Sequence, residues 1–144
     1  MYGAFFITKN GLLKTMKLVH KTGSIRCNSY DPASYWGCTN QKGYGNNGLM
    51  TIITNSKKEA FLPPTEDLRA HYVDNDKKPH FYSLNGSNHT SPELVFRDLP
   101  NKVSVSRGQE LQIWYGQDWI DWSQENNNGI ACVDVYALYA YLKE

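Results

Sequence analysis

The chain has 144 residues, enough for one ordinary domain (1–144) and too few for two full cores. Its 40% hydrophobic and 20% charged content exclude general disorder, and no apolar run approaches the roughly 20 residues of a membrane-spanning helix. Fifteen basic side chains nearly balance 14 acidic ones, for a net charge of +1, which gives no support to nucleic-acid binding by the whole domain.

In chain order the predicted strands are Ala4–Thr8, Leu12–His20, Leu49–Thr54, Glu59–Leu62, His80–Leu84, Glu93–Asp98, Lys102–Ser106, Leu111–Tyr115 and Ala131–Tyr141. Several alternate with period two. Val103 and Val105 share a face, as do Leu111, Ile113 and Tyr115, and so do Val133, Val135, Ala137 and Tyr139. Turn residues fill the gaps, among them Asn10-Gly11, Pro63-Pro64, Asn85-Gly86, Arg107-Gly108 and Asn126–Gly129. Short strands at this spacing predict an all-β fold, an antiparallel β-sandwich. Residues 23–48, rich in Gly, Asn and Tyr, predict a long loop region, which in a compact domain is usually functional or pinned by a disulfide. A short helix is predicted over Glu66–His71, with Thr65 as its N-cap.

Charge is unevenly placed. Residues 1–107 carry 14 basic and eight acidic side chains, whereas residues 108–142 carry five acids (Glu110, Asp118, Asp121, Glu125 and Asp134) and no Lys or Arg. Such a stretch repels itself unless distant lysines or a bound cation neutralise it. Its densest part, Tyr115–Gly129, joins two predicted strands and offers three carboxylates and five side-chain amides. Oxygen donors of mixed charge suit Ca²⁺; Zn²⁺ would want His or Cys, and the stretch has neither. The plainer reading is a polar loop whose acids cap turns and pair with Lys.

Trp119 and Trp122 stand in the same loop. An indole beside acids and amides suits a sugar, because one face of a galactose ring is apolar and its hydroxyls need polar partners. Each Trp has an alternative role in packing against the sheet edge. Asp118 and Glu125 also form a candidate glycosidase pair. Both lie in one loop, whereas catalytic acids are usually held on separate rigid elements, so the expectation is a binding protein and not an enzyme. No nucleotide-binding or hydrolase motif is present.

Three cysteines, Cys27, Cys38 and Cys132, leave at least one without an intrachain partner. A Cys27–Cys38 bond would staple a short loop, Cys132 would instead tie this region to the last strand, and three reduced thiols are the third reading; the sequence does not choose. Two glycosylation sequons stand almost back to back, Asn85-Gly86-Ser87 and Asn88-His89-Thr90. The start of the chain has no signal-peptide pattern, so a secreted protein would be present here in its mature form.

The segment 93–140 resembles a C-terminal module of cnidarian secreted proteins, among them a galactose-specific, calcium-dependent lectin of sea anemones. The resemblance rests on WYGQDW (114–119), on Glu125-Asn126-Asn127-Asn128-Gly129 and on Cys132-Val133-Asp134-Val135-Tyr136, and spans about a third of the chain. The Gln-Pro-Asp and Trp-Asn-Asp signatures of C-type lectins are absent. The resemblance implies a secreted, disulfide-linked homodimer that binds galactose-containing glycans through Ca²⁺, with no membrane insertion. Gln117, Asp118, Glu125 and Asn126 would then supply oxygens to the ion or the sugar, Trp119 or Trp122 would stack on the ring, and Asp134 would close the metal site or anchor the loop. An extracellular matrix or adhesion module using Ca²⁺ only to stiffen itself is the alternative.

Overall fold

A computed structural model describes residues 2–26, 33–37, 48–70, 79–115 and 128–140. Within them the chain forms β1 (Tyr2–Phe6), β2 (Gly11–Arg26), β3 (Thr51–Asn55), β4 (Ala60–Leu62), β5 (Arg69–Ala70), β6 (Pro79–Phe81), β7 (Glu93–Val95), β8 (Val103–Val105), β9 (Glu110–Tyr115) and β10 (Asn128–Tyr139). Every pairing is antiparallel. The first sheet runs β1-β9-β3-β4; the second runs β10-β2-β7, with β8 also on β2. β5 and β6 form a small separate ribbon. The all-β, sandwich-like expectation holds.

One apolar cluster joins the sheets. Leu13, Met16 and Leu18 of β2 and Leu94 of β7 meet Ile52 and Ile53 of β3, Leu62 of β4 and Leu111 of β9. Fully burying each such side chain is worth roughly 1.5–3 kcal/mol. The alternations read from sequence explain which faces point inward. Val133, Val135 and Tyr139 lean on the core, whereas Ile130, Tyr136 and Leu138 on the other face of β10 are exposed.

β2 is longer than its sequence implied, and its pairing with β10 shifts register between Cys132 and Val133 and between Leu138 and Tyr139. Each shift leaves one β2 residue without an opposite number, Lys21 in the first case and Lys14 in the second. An extra residue in one strand flips the inward set by one position. Hence Leu13 points inward, and beyond the bulge Met16 and Leu18 do. The displaced Thr15 is buried too, and its hydroxyl donates to the carbonyls of Phe96 and Arg97 at 2.9 and 3.0 Å.

The helix expected at Glu66–His71 does not form. Thr65–Asp67 make one 3₁₀ turn after Pro64, Thr65 caps nothing, and Leu68 is already extended at φ −77°, ψ 134°. An isolated helix this short has too few hydrogen bonds to repay its nucleation. Here Leu68 gains more by entering the core, and the Asp67 carboxylate accepts from the Arg97 guanidinium. Leu49, expected in β3, forms a bridge with Tyr82 instead, and β6 ends at Phe81.

Candidate functional site

The acidic segment is flanked by strands of two different sheets. Tyr115, the last residue of β9, pairs with Thr51 in the first sheet. Asn128, the first residue of β10, pairs with Arg26 in the second. The two residues that flank positions 116–127 therefore belong to different sheets. Gln117, Asp118, Trp119, Trp122, Glu125 and Asn126 lie outside the described residues, and the structure speaks only of the frame that carries them. One foot of that frame needs a glycine: Gly129 has φ +100°, and a Cβ there would stand 2.2 Å from the Ser24 carbonyl oxygen.

Residues 33–37 form a short strap. Ser34 pairs with Ile25 through two backbone hydrogen bonds of 2.7 and 2.8 Å. Trp36 is 1% exposed and joins three parts of the chain. Its indole N–H donates to the Ser91 carbonyl at 2.6 Å, and its own carbonyl accepts from the Met50 and Thr51 amides. The amides of Tyr35 and Trp36 both donate to the carbonyl of His89, at 2.7 and 3.1 Å. Gly37 and Gly48 lie against each other, since a Cβ on Gly37 would meet the Gly48 carbonyl oxygen at 2.0 Å. Residues 23–48 thus begin inside a strand and contain a pinned strap, where the sequence implied a loop throughout. Cys27 and Cys38 lie outside the described residues.

Rings gather behind the strap. His20 stacks on Tyr35 with centroids 3.5 Å apart, and its Nε2–H donates to the Gly23 carbonyl at 2.7 Å. Trp36 meets the edge of His20 at 6.4 Å. His89 Nδ1 is buried without a hydrogen-bond partner, and burial lowers the pKa of that ring. Burial pushes the Tyr82 phenol well above its ordinary range; its hydroxyl donates to the Thr51 carbonyl. None of these residues stood out in the sequence. A Trp in a Gly- and Asn-rich stretch was the available signal.

Asp134 is described. It sits on the outer face of β10, about half exposed, with its carboxylate 3.6 Å from the Lys21 ammonium. Cys132, on the same face, is an exposed free thiol. Among the described residues no three His, Cys, Asp or Glu side chains cluster as metal ligands would, and no helix is long and apolar enough to cross a membrane.

No protein-family model matches the chain, and no curated protein matches it. A solved structure does: the chain is similar to the lectin AJLec from the sea anemone Anthopleura japonica, with a TM-score of 0.84 and 28% identity. The similarity covers 96% of this chain and 87% of that one.

Proposed function

We propose that this chain is a calcium-dependent lectin that binds terminal galactose. The observation that carries the reading is the likeness to a sea-anemone lectin along nearly the whole chain. The acidic, cation-free loop between β9 and β10 supports it from the chemistry of its residues.

Gln117, Asp118, Glu125 and Asn126 supply side-chain oxygens of mixed charge, which fit Ca²⁺ by donor type. Calcium held by these residues would supply a Lewis-acidic centre for two neighbouring hydroxyls of the sugar. The carboxylates that hold it also accept hydrogen bonds from those hydroxyls. Trp119 or Trp122 covers the apolar face of the ring. Asp134 would close the metal site or anchor the loop, and its ion pair with Lys21 favours the second role. The protein binds and does not turn over its ligand. It acts outside the cell as a homodimer joined through one of its cysteines, so that two weak sugar sites engage a glycan surface together.

Isothermal titration with galactose, run with calcium and again with EDTA, tests the reading. Saturable binding that chelation removes is expected. Binding that survives EDTA would remove the ion from the mechanism, and no binding in either condition would leave the matrix-module alternative in its place.

A further inference from the structure

Residues 84–91 form two consecutive turns on the surface, closed by the Ser87 amide on the Leu84 carbonyl (3.1 Å) and the Ser91 amide on the Asn88 carbonyl (3.3 Å). Both sequons fall here, and both asparagines are exposed. The Asn88 carboxamide is tied into the second turn through its oxygen. Asn88 Oδ1 accepts from the Thr90 amide at 2.9 Å and from the Thr90 hydroxyl at 3.2 Å. These bonds hold the oxygen and leave Nδ2 with no part in the turn. Replacing one Nδ2 hydrogen would therefore cost the fold no hydrogen bond, and the substituent would enter solvent.

We propose that Asn88 is an N-glycosylation site, the acceptor of an oligosaccharide carried on a polyisoprenyl diphosphate. In that transfer Nδ2 forms a bond to the anomeric carbon of the first sugar. The bond from that carbon to the diphosphate oxygen breaks, Nδ2 loses one proton, and the polyisoprenyl diphosphate leaves. The motif needs a hydroxyl two residues on, which Thr90 provides. A glycan here would stand beside the strap, because the intervening residue, His89, holds the Tyr35 and Trp36 amides. The inference does not depend on which sugar the chain itself binds.

The test is translation of the full chain, fused to a cleavable signal peptide, in the presence of microsomes. Product entering the lumen should gain the mass of one glycan that peptide N-glycosidase removes. Deglycosylation in ¹⁸O-water should leave labelled Asp at position 88. Asn88→Gln and Thr90→Ala should each abolish that label, and Thr90→Ser should keep it. Translocated chain without a glycan, or with label at position 85 alone, would overturn the proposal. Because Thr90→Ala leaves the asparagine in place, loss of label there cannot come from the missing acceptor.

Discussion

The carbonyl oxygen of Trp36 receives both the amide and the hydroxyl of Thr51, at 3.2 and 3.0 Å. Thr51 is also the register partner of Tyr115, the residue at which β9 gives way to the acidic loop. The strap and one foot of that loop thus share a single residue. Thr51→Val should cost about 1 kcal/mol, the net worth of one hydrogen bond. Trp36→Ala, which empties a fully buried ring site, should cost roughly 3–5 kcal/mol. Urea unfolding followed by circular dichroism measures both, and equal losses would refute this account of Trp36.

Gly129 at the other foot allows a separate check. An alanine there must hold φ near +100° and place its Cβ 2.2 Å from the Ser24 carbonyl. The backbone strain alone is worth about 1–3 kcal/mol. Gly129→Ala should therefore destabilise the protein by at least that much, whereas Gly86→Ala, with no atom near the added Cβ, should cost only its turn strain. Comparing the melting temperatures of the two variants separates crowding from strain.

His89 should make stability depend on pH. Burial lowers its folded pKa, so the unfolded chain binds the proton more readily. Stability is then full above the ordinary histidine pKa of about 6.5 and falls as pH drops from there towards the lowered folded value. Below that value the loss levels off, because both states are protonated. His89→Gln should flatten this limb of the curve, and an unchanged slope would show that other groups govern it.

For the sugar site, Asp118→Ala should abolish both galactose binding and the rise in melting temperature produced by calcium, since a ligand of the native state stabilises it. Trp119→Ala and Trp122→Ala should part company: one should lose roughly tenfold in affinity, about 1.4 kcal/mol, and the other little. Unchanged galactose affinity in Asp118→Ala would refute the assignment.

Asp134→Asn should leave calcium affinity near that of the unmodified chain and change stability by less than about 1 kcal/mol, as befits an exposed ion pair with Lys21. Loss of calcium binding would instead place this carboxylate on the ion.

The sequence alone determined the class of fold. Val103 with Val105 and Val133 with Val135 alternate because a strand with one buried face has no other pattern open to it. It also marked the charge-bearing loop, since acids without bases are visible in one dimension. Three things were decided only by the tertiary structure. The bulges at Lys21 and Lys14 exchange which β2 residues face inward, and no local pattern records them because the missing partners are on β10, more than 100 residues away. Glu66–His71 gave up its helix because Leu68 had a core to enter and Asp67 an arginine, Arg97, to meet. Trp36 became a hub through carbonyls and amides of residues 50, 51, 89 and 91, and backbone groups are the same at every position until the fold brings them together.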